Sequence, residues 1–552
     1  MTFEAGAMTS EPTMTAAREA VAGGSDAALA LVSEAVRESV DRGRLEDLQE
    51  LASLAADAAR DVDRPEEGLT LLGEILRSAS PETMGAVLVR RASLWGYLRR
   101  YERRSRDLRN AAVAFAAAEN REGACRVLAD LALPIDAEMS LAQRVEVGMQ
   151  TLEMAKSLDR TDLSALCATN VAITKLLAGD RSALELRSYL EAHLPTRADT
   201  EEGRLAIRNW LNWANAAVAF GLYSEVDRAQ RVVAVAPDTG RKRRIRVTEA
   251  AVHWRRGDWD AARRICVELA AAPLNPEDVA TLRMVQGAID FQRFPMMEAN
   301  GLAAAADLIV DEDPWGAISR AVVIDVRIDR REPRPARGVV RLIQRIKTMG
   351  IRAGWEDLLP AVGRASPEAH RQLVGMLGNV TPLGVRARAC TLAGEGWAAL
   401  PARPDDAAAR LENAAEAFTE IGEPFPAARC LESAAEARNR TGRHAGDLWR
   451  RAASTYRDLG ADRALASLLR RSHGTRALSD FSVPAAYRRA PSVGLTRREQ
   501  EIADLARRGY TIGGIAGALT LSPHTVATHF KRIRQKLQVR TKHELIQLLS
   551  ED

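Results

Sequence analysis

Lysine is nearly missing from this chain. Seven occur in 552 residues, at positions 156, 175, 242, 347, 531, 536 and 542, and none follows a glycine. A G-x-x-x-x-G-K-[ST] loop, whose backbone N–H groups and lysine cradle phosphates, is therefore absent, and an ATPase switch of that type is not expected. Cysteine is as sparse. Cys125, Cys167, Cys266, Cys390 and Cys430 are odd in number, far apart and never form C-x-x-C. That argues against a disulfide framework and a zinc site, and reads as buried thiols in alanine-rich helices. No apolar run approaches the ~18 residues of a membrane span; the longest candidates, such as Gly301 to Val310, stop near ten. The first residues show no basic region followed by an apolar one, so no secretory signal is read, and residues 1–19 are expected to be a short disordered leader. The eight histidines form no HExxH. No Ser-His-Asp set, nucleophile elbow or glycine-rich cofactor loop stands out. The expectation is a protein that is not an enzyme, with no catalytic residue, cofactor or metal.

What the chain does have is charge, alanine and helical periodicity. A composition 46% hydrophobic and 28% charged suits a folded protein. The length allows two to four domains or one long repeat array. The net charge of +4 is unevenly placed: residues 495–552 carry 10 basic and 6 acidic side chains, and the first 494 carry equal numbers of each. A neutral body with a basic tail hints at an anionic partner for the tail. Strand-like alternation is nearly absent. Helix follows helix, broken at Gly, Pro or Asp, as at Asp41-Arg42-Gly43, Ser80-Pro81 and Pro273 to Pro276. Ala321 to Ile328 would pass as a strand, but its neighbours are helical and the segment reads as helix. Carboxylates interspersed with arginines read as solvated helical faces. The densest basic run, Arg241 to Arg246, reads as the solvated start of a helix, with DNA contact as the alternative. Trp210, Trp213, Trp254 and Trp259 read as core, with a ligand groove as the alternative.

The body is self-similar. Gly221-Leu-Tyr-Ser-Glu-Val-Asp-Arg-Ala matches Gly257-Asp-Trp-Asp-Ala-Ala-Arg-Arg in shape, 36 residues later. The runs from Ala111 and Ala414 match one another, and Phe418 and Tyr456 lie 38 apart. Helix-turn-helix units of this period, with alanine where helices cross, resemble tetratricopeptide repeats, although the repeat's Trp-Leu-Gly-Tyr pattern is nowhere intact. A generic helical bundle is the alternative. The expected layout is all-α: a tetratricopeptide-like superhelix over residues 20–472, a linker over 473–492, and a four-helix domain over 493–552.

That last domain carries the strongest local signals. Thr496 with Glu499 forms a capping box, Thr511 caps a second helix, and Ser522-Pro523 is an N-cap followed by proline at the first helical position. The third helix places Val526, Phe530, Ile533 and Leu537 on one apolar stripe. Opposite lie Ala527, Thr528, Lys531, Arg532, Arg534, Gln535 and Lys536, and the helix has no acidic residue. A helix entering the DNA major groove needs cations at its rim and short side chains at the base edges. Thr541 with Glu544 would start a fourth helix.

Leu495-Thr496, Arg498-Glu499, Glu501, Gly509, Ile515-Ala516, Leu519, Ser522, Thr525-Val526, His529, Ile533, Lys536-Leu537, Val539 and Glu544-Leu545 together resemble the LuxR-type helix-turn-helix of bacterial transcription regulators. The resemblance implies base contacts by Ala527, Thr528 and Lys531. It implies backbone contacts by Thr511, Thr525, His529, Arg534 and Lys536. It also implies a homodimer on double-stranded DNA, paired through Leu545, Ile546, Leu548 and Leu549. The array-plus-tail layout resembles the large ATP-binding LuxR-type regulators without their ATPase domain. The array would then sense a protein, peptide or small ligand in a bacterial cytoplasm, with RNA polymerase as a further partner open to such a regulator and no membrane involved. The sequence departs from the family at Ile512, Gly513 and Gly514, where Asn, a basic residue and Glu are usual. Ala527 stands where Lys or Arg is common. Two helical glycines cost very roughly 1 kcal/mol each relative to alanine. These departures support the alternative, an interaction scaffold with a degenerate DNA-binding tail.

Overall fold

Short polar caps set the helix starts. Ser80 Oγ accepts the Thr83 N–H at 3.3 Å, with Pro81 at the first helical position. Ser140 and Gln143 close a reciprocal box, Gln143 N to Ser140 Oγ at 3.3 Å and Ser140 N to Gln143 Oε1 at 2.9 Å. Turns between helices use left-handed residues, among them Gly221 at φ +74° and Gly257 at φ +81°, the two glycines whose spacing marks the repeat.

The computed structural model describes residues 11–294, 314–339, 355–377, 384–472, 476–484, 496–507, 510–519 and 521–536, save for positions 26, 63, 99, 134–138, 179, 195–199, 236–238, 273, 331, 333–334 and 337–338. Among the described residues the chain is all-α, without strands. Ala321 to Ile328 lies inside the helix Pro314–Asp329. No described helix is long and apolar enough to cross a membrane. All five cysteines are buried free thiols.

Each helix packs chiefly on the next in sequence, and many on the next but one, which is the pattern of stacked helical hairpins. Small residues sit at the crossings: Ala414, Ala415, Ala434, Ala435, Ala452 and Ala453 are all fully buried. The leader expected over residues 1–19 is corrected from residue 11 onward. Glu11–Ala22 is a helix whose Met14 and Ala17, three apart, are buried against the two helices that follow. Arg18 grips Glu50 through two bonds, at 2.6 and 2.8 Å. At the other end, the stretch expected to be a linker begins as part of the array: the turn Arg476–Leu478 packs on the helix Gly446–Leu459, with Leu478 buried and Phe481 against the same core.

The array closes on itself. In an open solenoid each repeat meets only its neighbours. Here the Arg463 guanidinium donates to the Phe291 carbonyl at 2.6 Å, and Arg293 donates to the Leu459 carbonyl at 3.2 Å. One continuous apolar core runs from Ala172 to Leu478 and takes in Leu141, whereas most other buried apolar residues up to Ala168 gather in smaller cores. Gly257 sits at the closure: an added Cβ would lie 2.6 Å from both Leu459 Cδ2 and Pro424 Cγ. Gly257→Ala combines a positive φ with overpacking and is expected to destabilise the array by about 2–4 kcal/mol. A fall in the urea midpoint with an unchanged slope would show it; an unchanged midpoint would refute it.

Buried ion pairs line the same seam, and they correct the expectation that arginines interspersed with carboxylates face solvent. Arg386, 4% exposed, donates to Glu423 at 2.7 Å, to both oxygens of Asp357 at 2.5 and 3.0 Å, and to the Ala219 carbonyl at 3.2 Å. Arg255 stands 3.3 Å from Asp357 and 3.7 Å from Glu423, and the Tyr223 hydroxyl donates to Glu423. A second knot joins Arg364 and Arg429 to Asp325 and Asp329. Burial pushes the Asp357 carboxyl upward, but the guanidiniums of Arg255 and Arg386 outweigh it and hold the group below the ordinary carboxylate range. Asp329 is held low the same way by Arg429 and Arg364.

Candidate nucleic-acid interface

Among the described residues the C-terminal unit has three short helices, Arg497–Arg507, Ile512–Leu519 and Pro523–Lys536, and the fourth helix expected from Thr541 and Glu544 lies outside them. Their starts are the caps the sequence encodes. Thr496 N–H donates to Glu499 Oε2 at 2.7 Å and Glu499 N–H returns to Thr496 Oγ1 at 3.3 Å. Thr511 Oγ1 accepts from Gly514 N at 3.1 Å, and Ser522 Oγ accepts from Thr525 N at 3.0 Å. Ile502, Ala503, Ala506, Ile515, Ala516, Val526, Phe530 and Ile533 form one buried core. Arg498 ties the first helix to the second by donating to the Leu519 carbonyl at 2.7 Å, a cation at a helix C-terminus.

This packing decides which face of the third helix is free. Val526, Phe530 and Ile533 point inward, so Ala527, Thr528, Lys531 and Arg532 are exposed together, with His524 one turn earlier. The helix holds no acidic residue. Thr528 donates its hydroxyl proton to the His524 carbonyl at 3.0 Å, which leaves its lone pairs and methyl for an outside partner. Thr525, His529 and Arg534 are half-buried on the flanks. Thr511 is exposed at the start of the second helix, its oxygen engaged as a cap. The side chain of Lys536 lies outside the described residues, as do Leu545, Ile546, Leu548 and Leu549.

Tyr510, an aromatic that the sequence did not single out, is 46% exposed directly before the Thr511 cap. Of the departures from the family pattern, Gly513, Gly514 and Ala527 are exposed, while Ile512 is half-buried against the core of the domain. Gly513 has nothing nearer to an added Cβ than Thr511 Oγ1 at 4.0 Å, whereas at Gly514 the Tyr510 ring lies at 3.3 Å. Gly513→Ala is therefore expected to stabilise the second helix by roughly 1 kcal/mol. Hydrogen exchange of amides in Ile512–Leu519 should slow about five-fold; unchanged exchange would refute this.

Two helices, a tight turn and a third helix with an exposed, acid-free polar face define a helix-turn-helix DNA-binding domain. Residues 493–549, about a tenth of the chain, match the family model described as bacterial regulatory proteins, luxR family. The C-terminal domain is thus of the LuxR type. No curated protein matches the chain. Among solved structures, the APC/C hetero-tetramer Cut9-Hcn1 is similar at 11% identity, covering 91% of this chain and 95% of that one, with a TM-score of 0.29. The Naa15/Naa10 complex bound to HypK-THB is similar at 12% identity, over 98% and 80%, with a TM-score of 0.23. A circular tandem repeat protein with novel repeat topology is similar at 12% identity, over 84% and 97%, with a TM-score of 0.12.

Proposed function

We propose that this chain is a sequence-specific transcription regulator whose helix Pro523–Lys536 reads base edges in the major groove. The observation that carries this reading is the clustering of Ala527, Thr528 and Lys531 on the exposed face opposite Val526, Phe530 and Ile533. Ala527 suits a thymine methyl, and Lys531 suits the O6 and N7 acceptors of guanine. Thr511, Thr525, His529, Arg534 and Lys536 take phosphates. The segment with Leu545, Ile546, Leu548 and Leu549 pairs two copies over half-sites about 34–36 Å apart. The helical array senses a ligand or partner and sets the access of the domain to DNA. The setting is a bacterial cytoplasm, and RNA polymerase is a further partner of the DNA-bound form.

Selection from a random oligonucleotide pool by the full chain, in the presence and absence of cell extract, tests the reading. A palindromic sequence should be enriched. Lys531→Ala should weaken binding and change the preferred sequence. Arg534→Ala should weaken all sequences alike and reduce the slope of log K against log salt by about one unit. No enrichment even at low salt would favour the second reading, an interaction scaffold with a degenerate tail, to which Gly513 and Gly514 lend their support.

A further inference from the structure

A partly open cavity of about 140 Å³ lies at the closed seam of the array. Its walls include the aromatic side chains of Trp254, Trp259, Trp397, Phe418 and Phe425. An engineered apolar cavity on the order of 150 Å³ accepts benzene, so the space fits one ring with a small substituent. Its charges are matched. Arg255, Arg386 and Arg429 line it together with Asp325, Asp357 and Glu423, and these six are paired with one another. A charged ligand would find no unmatched counter-ion and would have to break a buried pair, whereas a neutral one leaves every pair intact.

Apart from Arg429 Nη1, which is ion-paired with Asp325 at 3.0 Å, two polar atoms on the lining are left over. Gln292, 5% exposed, donates its amide to Asp329 at 3.5 Å, and its Oε1 has no hydrogen-bond partner among the described residues. Arg255 Nε, also buried, likewise has none among the described residues. Buried polar atoms are rarely left unsatisfied, so an acceptor and a donor on one aromatic cavity mark a place for a molecule that supplies the complements.

We infer that the cavity is the array's ligand site and that it takes a neutral, planar aromatic molecule bearing one hydrogen-bond donor and one acceptor. The donor meets Gln292 Oε1, the acceptor meets Arg255 Nε, and the ring packs among Trp254, Trp259, Trp397 and Phe425. The inference rests on reading the array as the sensing half of the protein.

Benzamide has this chemistry and serves as the probe, with benzoate and benzylammonium as its charged counterparts. Each is titrated into the full chain and followed by calorimetry and thermal shift. Benzamide should bind saturably at one site per chain, at millimolar concentration or below. The two ions should bind at least ten-fold more weakly. Gln292→Leu should weaken benzamide at least ten-fold, and Ala288→Leu, which adds bulk to the lining, should abolish binding while helicity is retained. Ala288→Val replaces it should the leucine variant fail to fold. No saturable benzamide binding by the wild type, equal binding of all three probes, or binding undiminished in the filled cavity would overturn the assignment. DNA selection is scored separately. Benzamide binding without DNA enrichment would leave the site standing and sink the regulator; enrichment without benzamide binding would do the reverse.

Discussion

Arg386→Met is expected to destabilise the array by about 3–5 kcal/mol, because it strands two buried carboxylates at once. Arg386 is the common partner of Asp357 and Glu423, and it also satisfies the Ala219 carbonyl from the other half of the seam. Removing the cation leaves Arg255 as the remaining guanidinium described beside both acids, at 3.3 and 3.7 Å. The size of the loss comes from the uncompensated charges and not from the worth of the network. Taking Arg255 to methionine and Asp357 and Glu423 to leucine in the same chain, which removes the stranded charges of both signs, should therefore recover a large part of it. Urea unfolding of the single and quadruple variants measures both. A single variant within about 1 kcal/mol of wild type would refute the network's role. Because the Asp357 carboxyl is held below its ordinary value near 3.9, its contribution is present above that pH. It is lost as pH falls through the lower folded value, and Asp357→Asn should flatten that part of the acid limb.

The second large effect belongs to the DNA-binding domain. Phe530→Ala should cost about 3–5 kcal/mol of that domain's stability. Phe530 is 4% exposed at the centre of a small core, packed with Ile502, Ile515, Val526 and Ile533. So small a core leaves little reserve, and the domain should be largely unfolded in the variant. DNA retention should vanish while the main thermal transition of the array stays where it is. DNA binding that survives in the variant would show that the face of Pro523–Lys536 is ordered by something other than this core.

What could be read from the sequence follows the range of the forces involved. The helix-turn-helix was legible because its signals are local: Thr496 reaches Glu499 three residues on, and Ser522 precedes Pro523. The buried stripe Val526, Phe530, Ile533 then fixes which side chains face out. Helical hairpins were legible for the same reason, through Gly221 and Gly257. The closure of the array was not. Arg386 and Asp357 lie 29 residues apart, Arg255 and Asp357 102, and each looks on its own helix like a solvated charge. The run Arg241 to Arg246 does open the helix Thr239–Arg255, with Lys242 and Arg244 exposed, and its last member, Arg246, is tied to Glu249 at 2.5 Å and Glu268 at 2.7 Å. The tryptophans divided. Trp210 and Trp213 are core, while Trp254 and Trp259 also line the cavity. Nothing in their spacing separates the two pairs, because the cavity is made by a segment that arrives from a hundred residues later.

That late arrival has a consequence during synthesis. Tyr223 must wait for Glu423, 200 residues further along the chain. At roughly 5–20 residues per second, the ribosome takes on the order of 10–40 s to deliver it. For that interval the nascent middle of the protein carries unpaired arginines and an uncovered apolar seam. The two apolar cores that span Met14 to Leu131 draw on no later segment and can already be folded. Translation speed across residues 223–423 therefore sets how long the chain is exposed to holding chaperones and to aggregation.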